Sequence, residues 1–534
     1  MQQNITLKLL PHEAASSDVI KEYIALTTGK STTEISGYSV QKKSVDARSK
    51  QAYINLTVHA FINEPFHNQY FEPVNYGDVS KAKHKAIIIG AGPAGLFAAL
   101  QFIQQGIQPI LLERGKDVRA RRRDLASLNK DGIINSESNY CFGEGGAGTY
   151  SDGKLYTRSN KRGNIDNILR TFVQFGADKN ILYESHPHIG TNKLPQIITA
   201  IRQQIEDSGG QFLFAKKVID FIIKDDQISE VITSDGYLYK ADAFILATGH
   251  SARDVFTLLH QKGIVIEAKP FALGVRIEHP QSLIDSMQYH QPVRNEHLPP
   301  AAYSVVQQVQ DKGVFSFCMC PGGIIAPAAT NAGELVVNGW SPSKRNNPFA
   351  NSGMVVTTDI SDIISDKWFA HKMREKKWQN DDLLLLMRFQ QMIEEKAYEL
   401  GGGKFVAPAQ RMTDFCNNKV SSSLPLCSYV PGLQSVSLAN VLPEFVFKRL
   451  QQGFVAFEKK MRGFYTGEAV VVATESRTSS PVRIPRNANT LQHVQIKNLY
   501  PCGEGAGYAG GIVSAAIDGE RVADAAAEKV KGEK

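Results

Sequence analysis

The sequence predicts an α/β protein: a parallel sheet entered near residue 81, broken by a long α+β insertion, and preceded by a small α+β unit. Three observations predict it. The apolar run Ala86-Ile87-Ile88-Ile89 stops at Gly90-Ala91-Gly92-Pro93-Ala94-Gly95, continues as a helix-like segment from Leu96 to Gln105, and is followed by Ile110-Leu111-Leu112 and an acid, Glu113. A second apolar run, Ala243 to Ala247, ends in Thr248-Gly249. The chain closes on Leu499-Tyr500-Pro501-Cys502-Gly503-Glu504-Gly505-Ala506-Gly507, then Gly510-Gly511-Ile512 and a helical tail.

The elements follow in order. In residues 1–80, Ile5 to Leu10 reads as a strand and Ser17 to Thr28 as a helix capped by Ser16 or Ser17. Tyr38 to Val45 and Ala52 to Phe61 alternate like paired strands. Tyr76 to Lys83 is the linker. Residues 81–267 form the first part of the sheet domain. Within them Val218 to Lys240 alternates apolar and polar residues around turns at Lys224-Asp225-Asp226 and Ser234-Asp235-Gly236, the mark of an antiparallel meander. Residues 268–489 are the insertion. They carry strands at Gly313–Phe317, Leu335–Asn338 and Met354–Thr358, and a helix from about Asp381 to Leu400 stopped by Gly401-Gly402-Gly403. Residues 490–534 return to the sheet.

A strand, a Gly-x-Gly-x-x-Gly turn, a helix and a second strand ending in an acid together hold a dinucleotide. Gly90 permits the tight turn, Gly92 lets the backbone approach a pyrophosphate, and Gly95 lets helix and strand pack closely. The helix N-terminus, with Ala91, Pro93 and Ala94, offers N–H groups and a partial positive charge to phosphates. Glu113, 18 residues after Gly95, is placed to accept from ribose hydroxyls and to repel a 2′-phosphate. Arg114 follows it. The glycine pattern recurs at Gly143–Gly148 and Gly505–Gly510. Neither copy has the strand–helix context, so only the first reads as a fingerprint; Gly146 and Ala147 of the second remain candidate cofactor contacts.

The Thr248-Gly249 strand end and the closing Gly503-Glu504 turn resemble the FAD site of the glutathione-reductase structural class. The turn with Gly510-Gly511 is similar to that of the fumarate reductase and aspartate oxidase branch. Phe142-Gly143-Glu144-Gly145-Gly146-Ala147-Gly148-Thr149-Tyr150-Ser151-Asp152-Gly153-Lys154-Leu155, Asn338-Gly339-Trp340-Ser341 and Ala407-Pro408-Ala409-Gln410-Arg411 resemble a family of uncharacterised bacterial FAD-dependent dehydrogenases, over most of residues 81–534. The resemblance implies a Rossmann-like FAD/NAD(P)-binding domain with an inserted α+β substrate/cap domain and a small N-terminal α+β appendage. It implies an FAD cradled by the opening turn, Thr248, Gly249, Gly503, Glu504, Gly511 and Ile512. It names a cofactor and no substrate.

Composition sets bounds. At 534 residues, 42% hydrophobic and 21% charged, the chain reads as a globular protein of two or three domains. Its start lacks a signal-peptide core, and no apolar window reaches the ~18 residues of a membrane span. Six cysteines in so long a chain are no disulfide framework, and a reducing cytoplasm is expected. Cys318-Met319-Cys320 has the wrong spacing for a zinc pair and reads as ordinary buried thiols; no metal is expected. Cys141 and Cys502 adjoin glycine turns and are candidates for redox thiols as well as small fillers. The net charge is +7. Its densest run, Arg114, Lys116, Arg119, Arg121, Arg122 and Arg123, reads as a solvated helical face. No aromatic interleaving suggests a nucleic-acid surface.

The expected activity is that of an FAD-dependent oxidoreductase acting on a small molecule by hydride transfer. Glu504, His250, Arg276 and Arg411 are the candidate catalytic residues, with Gln410 and Lys404 as further substrate contacts and Tyr508 as a stacking partner. Arginines bind carboxylates bidentately, and a histidine serves as acid or base. Residues 264–490 show no second nucleotide fingerprint. Either NAD(P)H docks transiently as electron donor, or the reductant is the substrate itself. An FAD-dependent RNA-modifying enzyme and a non-enzymatic flavin sensor or scaffold are the alternatives. The oligomeric state is not legible.

Overall fold

The structure, a computed structural model, describes residues 1–67, 71–157 and 163–532. At its centre is a five-stranded, all-parallel sheet. Its order is Leu499–Pro501, Ala243–Leu246, Lys85–Ile89, Gln108–Leu112, Gln211–Leu213. The opening strand, Lys85–Ile89, lies in the middle and is apolar on both faces because both faces are covered. Ala86 and Ile88 face one apolar core with Phe97, Val513 and Ala516. Ile87 and Ile89 face a second with Phe221 and Val231. The neighbouring strands alternate in the same way. The meander expected at Val218–Lys240 is present as three antiparallel strands and covers the second face.

Leu194–Asp207 is among the helices that cover the first face, and two others there pack directly on each other. Pro93–Gln104 follows the opening turn, and Ile512–Lys531 ends the chain. They pack closely through small residues: a Cβ on Gly519 would lie 2.1 Å from the Ala94 carbonyl oxygen. Gln101 reaches Asp524 across 423 sequence positions, with a 2.7 Å bond.

Between leaving this sheet and returning to it, the chain builds a seven-stranded sheet, from Val306–Val309 at one edge to Leu433–Ser435 at the other. Its central strand, Phe271–Pro280, pairs antiparallel with Phe349–Thr358 and Val470–Glu475. The strands expected at Gly313–Phe317 and Met354–Thr358 are present but longer, as Lys312–Cys320 and Phe349–Thr358, whereas the one expected at Leu335–Asn338 is shifted to Val337–Trp340 and pairs with Ile324–Pro327 in a separate two-stranded sheet. The expected helix runs from Leu385 to Gly401, and Gly402 ends it at φ +92°. It starts later than the periodicity suggested because Asp382 accepts from the Leu384 N–H and makes a turn first.

The N-terminal unit has the sheet order Gln2–Leu9, Tyr53–Ile62, Ile35–Asp46, with helix Ser17–Thr28 capped by Ser16. Its Ile5, Leu7 and Ile24 belong to the same apolar core as Phe271 and Val275 of the large sheet. It also hooks onto the nucleotide unit: the Lys43 N–H donates to the Tyr183 carbonyl at 2.8 Å, and the Ser185 N–H to the Lys43 carbonyl at 2.9 Å. Among the described residues no helix is long and apolar enough to cross a membrane.

The basic run is corrected in part. Arg119, Arg122 and Arg123 are exposed on helix Val118–Asp131, but Arg121 is fully buried.

Candidate functional site

A cleft of about 360 Å³ opens at the carboxyl end of the parallel strands, where ligands bind in doubly wound sheets. The opening turn forms one wall. Gly90 has φ +104°, and a Cβ there would lie 2.5 Å from the Ala247 carbonyl oxygen. A Cβ on Gly95 would lie 2.0 Å from the Gly90 carbonyl oxygen. Neither position admits a side chain. Gly92, by contrast, faces the cleft, with Gly146 Cα the nearest atom at 3.9 Å from a Cβ built there.

Glu113 lines the cleft, but its carboxylate is already engaged. It accepts from the N–H groups of Ala91, Gly115 and Gly143 at 2.9, 2.8 and 3.0 Å. The acid expected for a ribose therefore also fastens three backbone turns together. Arg114 lines the cleft too, ion-paired to Glu137 and Asp254 and stacked on Phe142.

The second glycine turn completes the wall. The Gly145 N–H donates to the Ala91 carbonyl at 2.8 Å. Buried Arg121 donates to the carbonyl oxygens of Asn139, Tyr140, Glu144 and Gly146 and to Thr149 Oγ1. All five guanidinium donors are used, so one side chain sets the path of residues 139–149.

Across the cleft lie Thr248, Gly249 and the closing turn. Gly249, Gly510 and Gly511 face open space. Gly503 has φ +73°, and its N–H donates to Asp518 at 2.8 Å; Asp518 is held by Arg486 at 2.6 Å. Helix Ile512–Lys531 begins at this wall, so Pro93 and Ala94 of one helix start and Gly511 and Ile512 of another meet at one cleft. Two helix N-termini give it a positive potential. Thr248 Oγ1 is buried without a hydrogen-bond partner. An unpaired hydroxyl, glycines opening on free space and two helix starts fit a dinucleotide with a pyrophosphate.

Glu504 stands beside His250, with 3.9 Å between Oε2 and Nε2. Burial, and then the nearby Cys318, raise the Glu504 carboxyl to about 7. Burial and the Arg477 charge lower His250 to about 4, so its imidazole is neutral. His250 Nδ1 lies 2.9 Å from Ser251 Oγ, which lies 3.3 Å from Cys141 Sγ.

The other candidates are not brought here. Arg276 is fully buried within the large sheet, with Glu475 at 2.8 Å, Asn351 at 3.0 Å and the Cys318 carbonyl at 2.7 Å. Arg411 bonds the carbonyls of Gly467 and Ser423. Gln410 is spent on Lys419 and Leu438, and Lys404 sits in the turn after the glycine stop. Tyr508 packs under Arg486, with the guanidinium 3.8 Å from its ring centre. Cys502 is buried in the core, where burial raises its thiol far above the ordinary range. The sequence reading missed Lys154, Cys318 and Arg477, which line the cleft. Lys154 and Cys318 lay inside segments already marked, but no periodicity shows which way such residues point.

The fold and cleft define a dinucleotide-binding α/β protein of the doubly wound class. The chain belongs to an uncharacterised family of FAD-dependent proteins. It is 37% identical over 530 residues to a Clostridium beijerinckii protein described as "Uncharacterized protein", covering 96% of each chain. Residues 270–478 match the family described as "FAD-dependent protein, C-terminal domain-like", and residues 1–61 a domain of unknown function, DUF8436. Among solved structures it is similar to the flavin-dependent brominase Bmp2 (11% identity, 84% and 80% of the two chains, TM-score 0.36). It is also similar to a glycine oxidase from Bacillus cereus (12%, 85% and 96%, TM-score 0.30).

Proposed function

We propose that this protein is an FAD-dependent oxidoreductase acting on a small molecule, with NAD(P)H as a transient hydride donor. The observation that carries the reading is the single cleft walled by the opening and closing glycine turns, into which two helix N-termini and the orphaned Thr248 hydroxyl converge. Gly90 to Gly95, Gly146, Ala147, Glu113 and Arg114 would hold the nucleotide half; Thr248, Gly249, Gly503, Gly511 and Ile512 would hold the remainder. The bound flavin supplies two-electron transfer. Glu504, with a carboxyl near 7, holds or releases a proton at Oε2 beside neutral His250. Residues 268–489 act as the cap that shields the cleft from water. All six cysteines are free thiols, which suits a reducing cytoplasm.

The test is the visible spectrum of the purified protein, followed by anaerobic bleaching with NADH, NADPH and a metabolite panel. A yellow protein bleached by one of them is expected. A protein that stays colourless after reconstitution with FAD overturns the reading.

A further inference from the structure

A second, larger chamber adjoins the cleft. Its volume is about 1930 Å³, and three parts of the chain line it: Lys43 of the N-terminal unit, His188 of the nucleotide unit, and Tyr303 and Lys459 of the insertion. Cys318 and Lys154 line both spaces. They stand at the junction.

Cys318 and Cys320 were expected to be ordinary buried thiols. The strand Lys312–Cys320 instead bulges between Phe317 and Cys320 against its neighbour. Cys318 takes φ +45°, a left-handed conformation that a cysteine adopts only where surroundings enforce it. Buried Arg276 is part of that enforcement, through its bond to the Cys318 carbonyl. A bulge of this kind re-aims a side chain. Here it leaves Cys318 accessible from both spaces and Cys320 buried behind it, with Cys320 Sγ 3.3 Å from the Cys318 carbonyl. Lys154 Nζ is 4.0 Å from Cys318 Sγ and also holds the Met319 carbonyl. One half-buried thiol lines both spaces beside a cation, and a second is stored behind it. That is the layout of an attacking and a resolving cysteine.

We propose that Cys318 and Cys320 are a redox-active dithiol that reduces a disulfide substrate entering through the larger chamber and is recharged from the cleft. The proposal rests on the flavin reading above. The ionisation of the pair agrees with it. Donation from Cys320, and then the charges of Lys154 and Arg276, hold the Cys318 thiol below its ordinary range, and the same contact raises Cys320.

The step balances. The Cys318 thiolate attacks one sulfur of R–S–S–R, forms a Cys318 Sγ–S–R bond and releases R–S⁻. Cys320 gives up its proton and attacks Cys318 Sγ, and the second R–S group leaves, one of the two departing as R–SH. The substrate has gained two electrons, and the pair has lost two and closed one S–S bond. The dithiol is restored by two electrons and one proton from reduced flavin, which a nicotinamide hydride donor replenishes.

The experiment treats the full-length protein with excess oxidised glutathione and maps its peptides by mass spectrometry. Wild type is expected to lose two hydrogens across Cys318–Cys320, and Cys320→Ser to retain glutathione on Cys318. Iodoacetamide alkylation of wild type gives a second measure that needs no variant. Cys318 should reach half its maximal rate below pH ~7, as reactive thiols do, while Cys416, raised by burial to about 12, stays unreactive. Stable glutathione on wild-type Cys318, or alkylation of Cys318 only at the pH of an ordinary thiol, overturns the proposal. Anaerobic dithiothreitol should bleach the yellow colour of wild type and act about tenfold more slowly on Cys318→Ser; equal rates overturn the electron exchange. The two readings fail separately. A colourless protein that forms the bond removes the flavin, and a yellow protein that does not form it removes the dithiol.

Discussion

Gly90–Gly95 and Gly143–Gly148 share one pattern and do different work. The first joins a buried central strand to a helix, and its glycines are enforced by backbone: Ala247 stands over Gly90, and the turn's own carbonyl over Gly95. The second follows no strand and opens no α-helix; it holds only the single 3-10 turn Gly146–Gly148. It is a loop pressed against the first, held by Arg121 and by the Gly145–Ala91 bond. A glycine spacing is therefore a statement about close approach. What approaches is decided by the flanking residues.

The comparison can be broken most directly at Gly95. Gly95→Val puts a branched side chain into a carbonyl 2.0 Å away, and a loss of about 4 kcal/mol or more is expected in denaturant titration. Arg121→Met strikes the second turn. It takes a charged donor from four carbonyls and leaves those of Asn139 and Tyr140 without their side-chain partner, and a loss of about 3 kcal/mol is expected by the same titration.

The third copy is sharpened by Glu504→Gln. In the folded protein the carboxyl is raised to about 7, above its value of 4.5, so the neutral acid is the favoured form. That preference stabilises the fold fully below pH 4.5 and is lost as pH rises through 7. The variant has nothing to titrate. Its melting temperature should match wild type near pH 4 and exceed it above pH 7, by an equivalent of about 2 kcal/mol after discounting for a side chain 26% exposed. Gly146→Ala asks less: φ is +60° and a Cβ would sit 3.1 Å from Gly92 Cα, so a loss of about 1–2 kcal/mol is expected. Gly510→Ala meets nothing within 4 Å, and its thermal unfolding should stay within about 0.5 kcal/mol of wild type.

Much of the parallel sheet was legible because its strands are short, apolar and ended by glycine turns. Ser17–Thr28 was legible to the residue because Ser16 caps it and Gly29 ends it in a left-handed turn. The large sheet was only half visible. Ala407–Arg411 had been read as a ligand-bearing motif, yet it is a strand, and its Gln410 and Arg411 satisfy neighbouring backbone. Arginine is the same letter whether it awaits a carboxylate or holds up a loop. Arg121 and Arg276 show the second case, and only three-dimensional partners reveal it. That Glu504 and His250 line the cleft was legible because they adjoin the turns that the glycines announce. Cys318 was missed because a bulge leaves no trace in apolar alternation.

The bond between Gln101 and Asp524 has a consequence for biogenesis. On the ribosome, the opening half of the nest emerges with its apolar helix face uncovered and waits for a partner helix that is translated some 423 positions later. A chain cut short before Ile512 would have half a nest and nothing to close it.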